Sequence, residues 1–148
     1  MDEYLNEVLE QRINRTIKGL EKNNMNGYFA KDKESLIELI KEIIDEDYTV
    51  SFGGSMTLFE TEILDFLRQG SYKLLDRYEE GLSDQDIKEI YRKSFSADAY
   101  FTSTNAITED GKLYNVDGRG NRVAAMIYGP DKVIVIAGVN KIVKDIDQ

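Results

Sequence analysis

The chain has 148 residues, 41% of them hydrophobic and 32% charged, which is the balance of one soluble globular domain over residues 1–148. Its formal net charge of −9 argues against binding to nucleic acid or to an anionic membrane, because both require a basic surface. The chain contains no cysteine and no histidine. Disulfides, thiolate or imidazole metal ligands, cysteine nucleophiles and histidine bases are therefore excluded, and no metal site is predicted.

The sequence contains no recognisable targeting or membrane segment. The first residues, Met1 to Tyr4, are acidic and lack the basic and then apolar layout of a signal peptide. The longest apolar run, Val133 to Val139, is too short to cross a bilayer. We therefore expect a cytoplasmic location.

Apolar periodicity and turn-forming residues divide the first half of the chain into helices and short strands. In chain order they predict a helix over 2–22, a strand over 28–30, a helix over 33–45, a strand over 48–52 and a helix over 56–69. Asp32 is the predicted N-cap of the second helix. Thr57 and Glu60 have the spacing of a capping box, which leaves open a later start for the third.

The second half of the chain is richer in strands. The pattern predicts a strand over 72–75, a helix over 83–93, and strands over 99–103, 122–128 and 132–137. Asp110-Gly111 predicts a hairpin turn, because this pair tolerates the positive φ angles of short hairpin loops. Alternating helices and strands predict an α/β fold, with a mainly parallel sheet flanked by helices and a β-meander insertion.

Two glycines and a serine, Gly53-Gly54-Ser55, lie between a predicted strand and a predicted helix. Paired glycines let backbone N–H groups turn outward at a helix start, which favours a phosphate or a carboxylate. The alternative is a tight turn in which Ser55 caps the helix. The spacing matches neither a P-loop nor the full dinucleotide-binding fingerprint.

The segment from Ser103 to Arg122 is denser in asparagine, arginine and glycine than a hairpin requires. Asn105, Asn121 and Arg122 are candidate ligand contacts. Arg119 and Arg122 carry guanidinium groups that suit a carboxylate or a phosphate. For both arginines, salt bridges within an acidic protein are an equally good interpretation.

Several of these polar residues follow predicted strands. Because the carboxyl ends of parallel strands meet at one edge of a sheet, we expect the residues to gather in one crevice. The predicted ligand-binding residues are Gly53, Gly54, Ser55, Asn105, Asn121, Arg122, Asn140 and Lys141. No catalytic residue is assigned. Glu60 and Glu62 are two residues apart on one predicted helix and so point to different faces, which means that at most one of them could serve as a base in the crevice.

Three parts of the chain resemble the LUD domain, the lactate-utilisation family of the LutC/YkgG type. They are Gly53 to Leu58, Ser103 to Gly111, and the run from Asp117 to Arg122 that continues through Gly129-Pro130 to Gly138–Lys141. The resemblance implies a fold similar to the ribose-phosphate isomerase, glucosamine-phosphate deaminase and CoA-transferase superfamily (NagB/RpiA/CoA-transferase-like). It also implies a link to the oxidation of L-lactate to pyruvate, alongside iron–sulfur partner proteins.

Two departures limit what the resemblance implies. Some relatives carry a cysteine-bearing tail, whereas this chain has no cysteine to ligate a cluster. The polar stretch also resembles a loop of methylthioribose-phosphate isomerases, with Asn105 in place of their catalytic aspartate. An amide does not shuttle a proton as a carboxylate does, so aldose–ketose isomerisation is disfavoured.

The preferred hypothesis is a cytosolic lactate-utilisation-type domain that binds a small anionic molecule in the strand-end crevice, with no cofactor assigned. The anion is a hydroxy acid, a phosphate compound or a nucleotide. One alternative is a non-catalytic accessory subunit that recognises an iron–sulfur oxidoreductase. The other is a transferase or ligase acting on an activated carboxylate, which requires a carboxylate such as Glu60 or Asp117 in the crevice.

Overall fold

The structure is a computed structural model that describes residues 3–118 and 120–147. The chain forms two compact units, each assembled from separate stretches. Unit 1 comprises the described residues of 1–30, 104–115 and 137–148, and unit 2 comprises those of 31–103 and 116–136. The single domain expected over 1–148 stays a prediction.

The secondary structure elements are numbered in chain order. The α-helices of the described residues are α1 (Glu3–Lys22), α2 (Lys33–Ile43), α3 (Met56–Glu60), α4 (Ile63–Gln69), α5 (Asp84–Lys93) and α6 (Asn121–Ile127). The strands are β1 (Thr49–Phe52), β2 (Lys73–Leu75), β3 (Ala99–Thr102), β4 (Ala106–Thr108), β5 (Leu113–Tyr114), β6 (Lys132–Val135) and β7 (Ile142–Val143). Short 3₁₀ helices cover Ser94–Ser96 and Val139–Lys141.

Unit 2 is built on a four-stranded sheet in the order β2-β1-β3-β6, in which every pair of neighbours is parallel. Val50, Phe52 and Phe101 pack with α2, α3 and α4 into the apolar core. Side chains alternate between the faces of a strand, so Ser51 points away from that core, and its hydroxyl contacts that of Ser94 after α5. The predicted α/β class, a mainly parallel sheet flanked by helices, is confirmed.

Side-chain caps begin two helices of unit 2, and the cap predicted at Asp32 is confirmed. Asp32 Oδ1 accepts a hydrogen bond from the Ser35 N–H at 2.8 Å, which makes Asp32 the N-cap of α2. Ser83 and Asp86 form a capping box at the start of α5, each side chain accepting a hydrogen bond from the backbone of the other. These bonds satisfy N–H groups that the first helical turn leaves without partners.

The helix predicted over 56–69 begins at Met56 but is divided into α3 and α4, because Glu62 adopts a left-handed conformation with a φ of 63°. Leu58 and Ile63 are both fully buried in the same core. In one continuous helix, residues five positions apart would point about 140° away from each other. The break between the helices lets both side chains reach the core.

The strand predicted over 122–128 is wrong, because this segment forms α6. β3 and β6 are parallel neighbours, with Ala99 opposite Lys132 and Thr102 opposite Val135. The chain between two parallel strands has to cross over the sheet, and it cannot return as an antiparallel strand. Helix α6 makes that crossover. The strand predicted over 28–30 is also wrong, since these residues pair with no described strand.

Unit 1 contains a small mixed sheet. β4 pairs antiparallel with β5 and parallel with β7, a strand that the sequence analysis does not predict. The hairpin predicted at Asp110-Gly111 is confirmed, since it joins β4 to β5 with Gly111 at a φ of 87°. The Gly111 N–H donates to the carbonyl oxygen of Thr108 at 2.9 Å, which closes the turn.

Helix α1 contacts this hairpin turn through main-chain atoms. A Cβ atom at Gly19 would lie 2.6 Å from the carbonyl oxygen of Glu109 and 2.8 Å from the amide nitrogen of Gly111. The Asn23 side-chain amide donates to the carbonyl oxygen of Gly111 at 2.9 Å, and Arg15 pairs with the Glu109 carboxylate at 3.0 Å. Neither α1 nor any other described helix is long and apolar enough to pass through a membrane.

Candidate functional site

The sheet of unit 2 has a topological switch point between β1 and β3. From β1 the chain moves outward to β2, then returns past β1 to β3, and β6 is added on that far side. In open α/β sheets, ligands bind outside the carboxyl ends of the strands at such a point. The end of β1 and the neighbouring end of β3 are therefore where a site is expected.

Gly53 and Gly54, which follow β1, let side chains of unit 2 approach the main chain closely. A Cβ atom at Gly53 would lie 2.8 Å from the hydroxyl oxygen of Tyr100. A Cβ atom at Gly54 would lie 3.0 Å from Nη1 of Arg77. The Gly53 N–H donates a hydrogen bond to the carbonyl oxygen of Phe101 in β3 at 2.9 Å, which extends the pairing of β1 with β3. The two glycines thus make room for a phenol and a guanidinium group.

Arg77 is the cation of this cluster. It lies two residues after β2 and is half-buried, with its guanidinium carbon 5.0 Å from the ring centroid of Tyr91 and 5.4 Å from that of Tyr78. Stacking on a ring leaves the N–H donors of arginine unused. Among residues 3–118 and 120–147, no carboxylate pairs with Arg77 and no group accepts a hydrogen bond from it. Its donors are therefore available to a ligand.

Tyr100 places a buried phenol in the same cluster. The residue is 3% exposed, and within the described part of the chain nothing forms a hydrogen bond with its hydroxyl group. Burial raises the pKa of Tyr100 to about 12, and the nearby Arg77 offsets only part of that rise. The phenol is therefore protonated at neutral pH, where it can donate a hydrogen bond to a ligand and does not act as a base.

These side chains meet at a small cavity in unit 2. The cavity is lined by Phe52, Arg77, Tyr91, Ser94, Tyr100, Asn121 and Ala125. Its free volume is about 10 Å³, which is room for about one water molecule. Asn121 is the first residue of α6, and no described group forms a hydrogen bond with its side-chain amide. Arg77, Tyr100 and Asn121 thus bring unused hydrogen-bonding groups to one small space.

The raised pKa of Tyr100 predicts a loss of stability in alkali. An unfolded tyrosine ionises near pH 10, whereas folded Tyr100 keeps its proton up to about pH 12. Between these values the unfolded state binds fewer protons, so the free energy of unfolding falls as the pH rises. We expect Tyr100→Phe to make this fall shallower in urea denaturation from about pH 9 to about pH 11. Equal slopes in the two proteins would contradict the burial of this phenol.

Arg122, a predicted ligand contact, forms an ion pair with a neighbouring carboxylate. Its Nε and Nη2 atoms lie 2.8 Å and 2.7 Å from Oδ1 of Asp117, and the side chains of Arg122 and Asp117 are 16% and 10% exposed. The second Asp117 oxygen accepts a hydrogen bond from the Val123 N–H in the first turn of α6 at 2.8 Å. The salt bridge considered for Arg122 is thus present, and its role as a ligand contact stays a prediction. Arg119, the other predicted guanidinium, lies outside the described residues.

The remaining predicted residues divide between the two units. Ser55 belongs to unit 2 and stands at the N-cap of α3, where its side chain makes no capping hydrogen bond. Asn105, Asn140 and Lys141 belong to unit 1. Asn140 and Lys141 follow β6 and lie in the 3₁₀ helix that leads into β7, the strand that the sequence analysis does not predict. The role of all four as ligand contacts stays a prediction.

The candidate carboxylates of the sequence analysis do not line the cavity. Glu60 ends α3 and is exposed, and Glu62 lies in the break after it with its carboxylate 3.5 Å from Nζ of Lys33. Asp117, which the transferase alternative also considers, is held by Arg122. Among the cavity-lining side chains there is thus no carboxylate for acid–base or nucleophilic work.

Arg77, Tyr91 and Tyr100 are absent from the sequence prediction. Arg77 follows β2 much as Gly53 follows β1, so the strand-end argument applied to the predicted strand 72–75 would have found it. Tyr100 lies inside a strand, and Tyr91 lies on a helix. Only the tertiary structure shows that their side chains reach the end of β1.

Similarity to a known family agrees with this fold. The LUD domain family matches residues 13–148, which is nearly the whole chain. The match includes the glycine turn after β1, the polar segment after β3 and the start of α6. No curated protein and no solved structure matches the chain. The chain therefore belongs to the LUD domain family, a family of the lactate-utilisation type.

Proposed function

We propose that this LUD domain binds a small organic anion at the carboxyl end of the unit 2 sheet, with Arg77 as the counter-ion. The observation that carries the proposal is the convergence of Arg77, Tyr100 and Asn121 on one cavity, where no described protein group satisfies their side chains. Each of these side chains therefore keeps hydrogen-bonding groups that a ligand can use. A ligand oxygen in the cavity satisfies all three.

A carboxylate suits these donors. A guanidinium group binds a carboxylate or a phosphate through two parallel hydrogen bonds, which fix the orientation of the anion as well as its charge. The neutral phenol of Tyr100 donates to a carboxylate oxygen or to an adjacent hydroxyl or keto oxygen. Asn121 offers both a donor and an acceptor. Together these groups support a 2-hydroxy or 2-oxo acid as the ligand.

The family supports the wider setting of the proposal. The chain belongs to a family of the lactate-utilisation type, and lactate is an acid of this class. From this family context we further propose that the domain acts in the cytoplasm and serves L-lactate oxidation. We also propose iron–sulfur lactate-oxidation proteins as its partners. Ser55, Asn105, Asn140 and Lys141 are retained as further proposed contacts of the ligand.

Arg77→Ala is expected to weaken anion binding about 10- to 100-fold, which corresponds to the loss of about 1.5–3 kcal/mol, the contribution of one hydrogen bond to a charged group. Isothermal titration with lactate, pyruvate, phosphate, a sugar phosphate and a nucleotide measures the dissociation constants. Arg92→Ala is the matched control, since Arg92 is exposed on α5 and does not line the cavity. Arg77→Lys keeps the charge but loses the two-point geometry, so it is expected to restore binding only in part.

Equal affinities of the Arg77→Ala and Arg92→Ala proteins for every anion that binds would contradict the proposed site. Absence of binding by all of these anions to the unaltered protein would also contradict it. In that case, stoichiometric capture of iron–sulfur or dehydrogenase proteins from native lysate would favour the accessory-subunit alternative.

A further inference from the structure

An apolar surface lies next to Gly54, and we call it the apolar shelf. It consists of Met56, Phe59 and Tyr78, whose side chains are 71%, 44% and 40% exposed. The rings of Phe59 and Tyr78 are in contact, with centroids 5.1 Å apart. Met56 and Phe59 are three residues apart on α3 and so lie on the same side of the helix. Single exposed apolar residues are ordinary, but a contiguous group of them often marks a binding surface.

The apolar shelf is continuous with the proposed anion site through Tyr78. The Tyr78 ring lies 5.4 Å from the Arg77 guanidinium carbon and 5.8 Å from the ring centroid of Phe52, which lines the cavity. A Cβ atom at Gly54 would lie 3.0 Å from Nη1 of Arg77 and 3.2 Å from the Tyr78 hydroxyl oxygen. An anion held by Arg77 therefore has the apolar shelf as an adjoining surface.

The cavity is so small that most of an organic ligand has to lie outside it. About 10 Å³ admits one oxygen atom or a similarly small group. The remainder of an organic anion has to lie at the mouth, where Gly54 is exposed and where a side chain at that position would meet Arg77 and Tyr78. The surface available there is aromatic and apolar.

We propose that the ligand is an organic anion with an aromatic ring or another flat apolar group next to its carboxylate or phosphate, and that this group packs on the apolar shelf. The inference rests on the anion binding proposed for Arg77. Burial of a ring against Phe59 and Tyr78 removes apolar surface of both partners from water, while the ion pair with Arg77 fixes the ligand's position. Lactate offers only a methyl group and leaves the apolar shelf largely uncovered.

Matched pairs of ligands test the inference by isothermal titration. We compare lactate with 3-phenyllactate, and inorganic phosphate with phenyl phosphate, so that each pair differs by one ring. The ring is expected to tighten binding about tenfold in the unaltered protein. Phe59→Ala is expected to abolish most of that gain while leaving the affinity for lactate or phosphate unchanged. Arg77→Ala is expected to weaken both members of the preferred pair.

Ile127→Ala is the matched control, because Ile127 is 78% exposed on α6 and does not line the cavity. It is expected to preserve the tenfold gain. Met56→Ser provides a second alteration of the apolar shelf at a residue that is 71% exposed, where folding is unaffected. The two pairs of ligands also distinguish a carboxylate from a phosphate. The anionic group that the site prefers is the one whose binding depends on Arg77.

Arg77-dependent binding of lactate or phosphate, with less than a twofold gain from the ring, would overturn the inference and leave the proposed anion site intact. A gain that survives both Phe59→Ala and Met56→Ser would overturn it as well. Ring-dependent binding that is unaffected by Arg77→Ala would overturn both proposals, because the apolar shelf would then act without the anion site.

Discussion

Replacing Gly19 with alanine is expected to lower the free energy of unfolding by about 2 kcal/mol, although the same change in an exposed helix raises it by about 1 kcal/mol. The added Cβ atom would lie 2.6 to 2.8 Å from main-chain atoms of Glu109, Asp110 and Gly111. A main chain in a closed turn cannot rotate aside as a side chain does, so α1 has to move away from the hairpin. That movement weakens the pairing of Arg15 with Glu109.

Urea denaturation measures the effect, with Gly118→Ala as the control. A Cβ atom at Gly118 would meet no atom of the described residues within 4 Å, so this change is expected to alter stability by less than about 0.5 kcal/mol. A Gly19→Ala protein as stable as the unaltered one would show that α1 and the hairpin do not meet as described.

Replacing Asp117 with alanine is expected to cost about 3 kcal/mol. The change leaves the largely buried Arg122 guanidinium without its carboxylate, and removing one partner of a buried ion pair is strongly destabilising. It also removes the acceptor of the Val123 N–H in the first turn of α6. Gly120, at the N-cap, contributes no capping side chain. Denaturation at neutral pH measures the loss.

A double-mutant cycle decides how Arg122 is used. If the ion pair is its main role, Asp117→Ala and Arg122→Ala combined are expected to cost about 2 kcal/mol less than the sum of the single changes. Additive effects, together with a loss of anion binding in the Arg122→Ala protein, would instead assign Arg122 to the ligand. The cycle thus separates the two interpretations that the sequence leaves equally open.

Where local chemistry decides, the sequence predicts the fold of this chain well. Asp32 caps a helix and Asp110-Gly111 turns a hairpin, because each depends on hydrogen bonds or φ angles within a few residues. The run 122–128 shows the limit. Its valine, isoleucine and tyrosine favour a strand, yet the parallel pairing of β3 with β6 requires a crossover connection, which is usually a helix. Pairing between distant segments overrides local preference there.

The candidate site is predictable only in part. The strand-end argument identifies Gly53 and Gly54, and Asn121 follows from the unusual density of polar residues around it. The same argument applied to the predicted strand 72–75 reaches Arg77, but only the tertiary structure shows that Arg77 has no described carboxylate partner. Tyr100 resembles any strand tyrosine until its hydroxyl is found beside Gly53.

The interleaved make-up of the two units has a consequence for the order of events during synthesis. Unit 2 is complete once residue 136 has been made, whereas unit 1 still needs β7, at Ile142–Val143. Helix α1 is translated before the other parts of unit 1, and its hydrogen bond from Arg15 to Glu109 spans 94 positions. Contacts between such distant residues carry a large loop-closure entropy and form slowly. Helix α1 therefore waits for the hairpin between β4 and β5 to be synthesised before it can make this contact.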